Sequence, residues 1–98
     1  MTVVSILRLR VREHAGSELE RKFDELEIFE RSRKSCGFRG GRLLRSLSAD
    51  RAYLVMAEWD DADAYQGWLD NPVRAELGQQ LEPLIDGEVA SGELFEEV

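Results

Sequence analysis

The run Ala52 to Trp59 divides into two side-chain sets of period two: Tyr53, Val55, Ala57 and Trp59 on one side, Leu54, Met56 and Glu58 on the other. That is the period of a β-strand. Both sets carry large apolar groups, so both faces of this strand have to be covered by something. Val3 to Val11 repeats the pattern. One set reads Val3, Ser5, Leu7, Leu9, Val11; the other begins with Val4 and Ile6 and ends in Arg8, Arg10 and Arg12. Two such strands in a chain of 98 residues and 11.2 kDa leave room for one domain, spanning 1–98, built around a sheet.

Between and after the strands the period changes. Ser17 and Glu20 stand at the spacing of a capping box. Leu19, Phe23 and Leu26 then make one apolar stripe, which Phe29 continues. Glu18–Lys22, Glu27–Arg31 and Glu30–Lys34 are favourable i,i+4 pairs, so one helix is expected from Ser17 to about Lys34, closed near Gly37. Phe38 to Leu47 reads as a second strand whose Gly40-Gly41 pair marks a bulge or a close approach of another group. Ser48 to Arg51 forms the turn into Ala52–Trp59. Asp60-Asp61 caps a short helix to about Asp70 carrying Tyr65, Trp68 and Leu69, with Gly67 weakening it by about 1 kcal/mol relative to alanine. Asn71-Pro72, a cap followed by proline, restarts a helix bearing Val73, Leu77 and Leu81. Pro83 and Gly87 end that helix, and Gly87 to Val98 is expected as a last, acidic strand.

The order is β-α-β-β-α-β, an α+β class of the ferredoxin-like, split βαβ kind, with an antiparallel sheet and both helices on one face. The opposite face carries Ile6, Leu54 and Met56, too apolar to stay wet, and a second copy packed face to face would cover it. A homodimer is therefore expected. With the first strand between the third and fourth, the arginines come near Glu58, Glu93 and Glu96. That arrangement accounts for a lopsided charge distribution. Residues 1–49 hold eleven basic and seven acidic side chains, whereas residues 50–98 hold two and thirteen. Mutual screening between solvated faces explains it.

A net charge of −7 argues against nucleic acid as a partner. The longest apolar runs, such as Tyr53 to Ala57, fall far short of the roughly 20 residues a bilayer requires, so no membrane partner is expected. Arg8, Arg10 and Arg12 interrupt the apolar start, so no signal peptide is read there. The lone Cys36 forms no internal disulfide and is expected as a buried structural thiol, which suits a reducing cytoplasm. His14, the lone histidine, reads as a solvated loop residue, and no metal site is expected.

Trp59-Asp60-Asp61-Ala62-Asp63-Ala64-Tyr65-Gln66-Gly67-Trp68-Leu69, followed by Asn71-Pro72, resembles the antibiotic biosynthesis monooxygenase domain family. Gly37-Phe38 after the first helix is similar to the family's Pro-Gly-Phe, with Cys36 in place of the proline. The resemblance covers essentially the whole chain and implies a dimeric α+β barrel. It also implies several activities: oxidation of anthrone-like polyketides with molecular oxygen and no cofactor, haem degradation, or polyketide cyclisation. For the first, the family's active-site tryptophan falls on Trp59 and its tyrosine on Tyr65, which are thereby implied as catalytic. The family's asparagine falls on Val55 and its later arginine on Gly78. For haem degradation, the haem-contacting tryptophan matches Trp68, but the first-strand asparagine falls on Leu7, and Leu77 or Gly78 stands where the axial histidine belongs. Haem chemistry is therefore disfavoured.

Aromatics at such positions also serve simply as core. Asp60, Asp61 and Asp63 suit a helix N-terminus, and Arg8 and Arg10 suit cross-strand pairing with the acidic last strand. A pocket between sheet and helices is expected, with catalytic Trp59 and Tyr65 joined by substrate-binding Leu7, Leu9, Phe23, Leu26, Val55, Ala57 and Trp68. Such a lining suits a hydrophobic aromatic small molecule. The function the family resemblance implies is a cofactor-independent monooxygenase of aromatic polyketides. The alternatives are a non-oxidative cyclase or small-molecule-binding barrel, and a dimer module with no pocket.

Overall fold

The computed structural model describes residues 2–87, 89 and 92–98. Its strands are β1 (Val3–Arg10), β2 (Phe38–Arg45), β3 (Ala52–Trp59) and β4 (Glu93–Glu96). They form one antiparallel sheet in the order β2-β3-β1-β4, so the first strand does lie between the third and fourth. Its helices are α1 (Gly16–Glu25), α2 (Ile28–Ser32), α3 (Ala62–Leu69) and α4 (Pro72–Leu81), followed by a 3-10 turn, Glu82–Leu84. The ladder β1–β3 pairs Val3 with Trp59 and Leu7 with Val55, which puts the apolar sets of both strands on one face. That face, with Leu19, Phe23, Tyr65, Trp68 and Leu77 from the helices, makes the core. Trp59, Leu19 and Val11 are its most deeply buried side chains.

The glycine pair in β2 has the expected consequence. The register slips between Phe38 and Gly40, and a Cβ on Gly41 would strike the Phe29 ring. Gly41 is thus required by the close approach of an aromatic, whereas Gly40 faces open space. Asp61 caps α3 by accepting a hydrogen bond from the Ala64 amide at 2.8 Å, and Asn71 caps α4 by accepting one from the Val73 amide at 3.0 Å.

Three expectations need correction. The first helix is not continuous: Glu27 adopts the left-handed conformation (φ 50°, ψ 46°) between α1 and α2. In a continuous helix Ile28 would lie about 200° around from Leu26, off the apolar stripe. The break re-aims the chain so that Ile28 and Ser32 become buried, and Ser32 Oγ donates to the Ile28 carbonyl at 2.8 Å. Nor is Ser17 the cap. The N-cap is Ala15, which makes no side-chain cap bond, and Glu20 is drawn off to tertiary partners. Its carboxylate accepts from the Tyr53 hydroxyl at 2.6 Å and from Arg45 at 3.2 Å. Cys36 is exposed rather than buried.

The last strand is shorter than expected, Glu93–Glu96, and Glu88, Ala90 and Ser91 of the expected span lie outside the described residues. Pairing between the two halves takes the form of Arg8–Glu93 at 3.0 Å, Arg10–Asp86 at 3.5 Å and Arg39–Asp60 at 2.8 Å. Glu58 and Glu96, also expected beside the arginines, instead sit across the ladder from Val4 and Val3. Among the described residues no helix is long and apolar enough to cross a membrane.

Candidate functional site

A cavity of about 620 Å³ lies between the inner face of the sheet and the helices. Leu7 and Leu9 of β1 and Val55 of β3 form its floor. Phe23 of α1, Ile28 of α2 and Trp68 of α3 close one side, and Leu77, Gly78 and Leu81 of α4 the other. The break at Glu27 contributes directly, because it lets residues on either side of it, Phe23 and Ile28, reach the same space. Gly78 widens the cavity: a Cβ placed there would meet nothing within 4 Å. Among the described residues the charged side chains on the wall are Arg74 and Glu82, and His14, Cys36, Tyr65 and Met56 stay away from it.

A larger depression, about 820 Å³, lies at the other end of the sheet around Glu20, Arg45, Arg51 and Tyr53. Its polar groups are largely occupied with one another. Tyr53 donates to Glu20, and burial, that hydrogen bond and the Glu20 charge together hold its phenol above the ordinary pKa. This network pins β3 to α1. The apolar cavity leaves its walls unfilled and is the better ligand site.

Of the residues expected to line a pocket, Leu7, Leu9, Phe23, Val55 and Trp68 do so, and Leu26, Ala57, Trp59 and Tyr65 do not. Trp59, which the resemblance implies as catalytic, is 1% exposed, and its indole N–H donates to Ser5 Oγ at 3.0 Å. Its ring is held edge-on by Phe38 at 5.1 Å and by Tyr65 at 5.6 Å. The Tyr65 oxygen lies against Gly92, at the approach to β4. Tyr65 and Trp68 share a face of α3 at i,i+3 spacing, so the Trp59–Tyr65 contact holds the helix that carries Trp68 to the cavity. Ile28, Arg74 and Gly78 were not anticipated on the wall. Leu77 and Leu81 had been legible as an apolar stripe without a destination.

The family model for antibiotic biosynthesis monooxygenase matches residues 2–79. The chain belongs to this family. Among solved structures it is similar to SnoaB from Streptomyces nogalater, a cofactor-independent oxygenase, with 28% identity, a TM-score of 0.77, and coverage of 99% of this chain and 93% of that one. Rv0793 from Mycobacterium tuberculosis has the same fold, with a TM-score of 0.78 at 19% identity over 100% of this chain and 96% of that one. A haem oxygenase (mycobilin-producing) of M. tuberculosis is 33% identical over 88 residues, 89% of this chain and 82% of the relative.

That last relative raises haem as a ligand, and the cavity provides a test. Protein-bound haem iron is ordinarily held by histidine, thiolate, thioether or phenolate, and the described lining offers none of these. His14 lies in the other depression with its side chain 91% exposed. Leu77 and Gly78 occupy the wall where the resemblance puts the axial histidine. The donor set does not fit an axially ligated haem.

Proposed function

We propose that this member of the antibiotic biosynthesis monooxygenase family is a cofactor-independent monooxygenase. It oxidises a flat aromatic polyketide or anthrone-like phenol with molecular oxygen, as part of secondary metabolism, and works as a homodimer. The observation that carries the reading is the composition of the cavity: lined mainly by aliphatic and aromatic side chains, of a size for a drug-sized ligand, and without iron-ligating side chains among the described residues. The similarity to a cofactor-independent oxygenase supports it.

In this chemistry the phenolic substrate loses a proton, and the resulting carbanion passes an electron to O2. Recombination and loss of water convert a ring CH2 into a carbonyl; one oxygen atom enters the product and the other leaves as water. The substrate supplies the electrons. The protein binds the rings, excludes water and holds the reacting carbon in one orientation. Leu7, Leu9, Phe23, Val55 and Trp68 take the binding role. Trp59 and Tyr65 enter as positioning residues that set α3, and through it Trp68, against the sheet.

The homodimer is supported by the uncovered face of the sheet. Val4, Ile6, Leu54 and Met56 stand there with Leu44, 38% exposed, and Phe95, 49% exposed. A second copy would bury this patch.

The test is oxygen uptake by the metal-stripped protein with a panel of hydroxyanthrones, corrected for autoxidation. Saturable uptake with stoichiometric quinone is the expected result. No uptake above background across the panel would refute the oxidative reading. It would favour a non-oxidative cyclase or binding protein, a role that suits Val55 and Gly78 at positions where the family resemblance puts polar side chains.

A further inference from the structure

Arg74 stands out from its surroundings in three ways. It is one of only two cations in residues 50–98, a stretch with thirteen carboxylates. The other, Arg51, lies 3.9 Å from Asp86, whereas Arg74 makes no ion pair or side-chain hydrogen bond among the described residues. It is half-buried, on the wall of a cavity lined mainly by apolar side chains. It also lies in the first turn of α4, where a cation opposes the helix dipole and an acidic residue would be favoured; that turn holds no acidic residue. Glu82, the other charged group on the wall, is eight positions further along, about 12 Å at the helical rise, and so does not neutralise it.

A guanidinium held at a mainly apolar wall, against the local dipole and without a partner among the described residues, breaks a local rule with no structural gain in view. Such positions mark function. A planar fork of N–H donors matches a carboxylate in two parallel hydrogen bonds. One turn away, Gly78 leaves the space a ring edge needs.

We propose that Arg74 is the specificity-determining residue of the cavity and that the ligand is a planar, apolar molecule carrying one carboxylate, which Arg74 binds. This rests on the cavity being the substrate site of the proposed monooxygenase, and it names the polar handle by which that substrate is oriented.

The experiment compares 9-anthracenecarboxylate with the neutral 9-anthracenemethanol by calorimetric titration of the full chain, alongside R74Q, R74K and G78L. The carboxylate is expected to bind at least about tenfold more tightly to the unaltered protein, in line with a charge-assisted hydrogen-bonded pair. R74Q reduces that ratio to about one by weakening the carboxylate, and R74K restores part of it. G78L fills the cavity and weakens both ligands together. Because Arg74 has no partner among the described residues, R74Q is expected to fold, and an unchanged thermal midpoint verifies that. Equal affinity for the two ligands, or a preference that survives in R74Q, overturns the assignment. If neither ligand binds, the cavity is not the site and the assignment falls with it. Oxygen uptake with neutral hydroxyanthrones, measured in parallel, separates the two readings, since it can persist when Arg74 makes no difference.

Discussion

The hydrogen bond from Trp59 to Ser5 makes a prediction that separates a structural indole from a catalytic one. The donor and acceptor are 3.0 Å apart, with Trp59 1% and Ser5 6% exposed, so water does not readily replace either partner. Ser5→Ala leaves a buried N–H without an acceptor, at a cost of about 1–3 kcal/mol. Trp59→Phe leaves the Ser5 hydroxyl in the same position and adds a void beside Phe38 and Tyr65, raising the cost to about 2–4 kcal/mol. In the double variant neither group is orphaned, so its cost should fall short of the sum of the single costs by about 1–2 kcal/mol. Urea unfolding curves of the four proteins, with m-values compared, measure that coupling. For a chain this short each kcal/mol corresponds to about 4–8 °C in Tm, so thermal melts provide a second reading. Additivity within about 0.5 kcal/mol would refute the buried hydrogen bond. So would a Trp59→Phe variant of full stability that had lost oxygen uptake, because the indole would then be facing substrate.

Other consequences follow from individual residues. Glu27→Gly should stabilise the protein by about 1 kcal/mol, since glycine takes a left-handed conformation without the penalty of a side chain; in an unbroken helix the same change would destabilise by a similar amount, so the sign of the shift in urea midpoint decides. Tyr53, whose ordinary pKa is 10.0, is raised in the folded protein, so the unfolded chain releases this proton first and stability must fall as pH rises past 10; Tyr53→Phe should remove that part of the slope in unfolding measured between neutral and strongly alkaline pH. Leu54→Asp, in the centre of the uncovered sheet face, should convert the proposed dimer to a monomer in light scattering, and a monomeric unaltered protein would sink the dimer.

Strand positions were legible wherever side chains alternated against a single core. Ala52–Trp59 matches β3 residue for residue, and the two caps at Asp61 and Asn71 follow from local chemistry that no distant contact overrides. The failures came where a tertiary partner competed with a local one. Ser17 and Glu20 have the spacing of a capping box, but a buried tyrosine hydroxyl and an arginine offer Glu20 more than the helix's own amide does. The helix pairs Glu27–Arg31 and Glu30–Lys34 supported a continuous helix, but each contributes only about 0.2–0.5 kcal/mol. Burying Ile28 is worth about 1.5–3 kcal/mol and decides in favour of the break.

The same competition governs how the site could be read. Periodicity identifies which side chains face the core but not which of them meet empty space, because a cavity is defined by atoms that are missing. Leu7, Leu9, Phe23, Val55 and Trp68 qualify because Gly78 and the turn at Glu27 withhold filling from their side. Ala57, Trp59 and Tyr65 lie where Phe38, Ser5 and the approach to β4 already fill the space. Trp59 occupies the position that the family resemblance makes catalytic, yet its one hydrogen-bond donor is committed within the core. A chemical role for this site therefore has to run through the groups that remain uncommitted at the cavity wall. Among the described residues these are the ring of Trp68, the guanidinium of Arg74 and the carboxylate of Glu82.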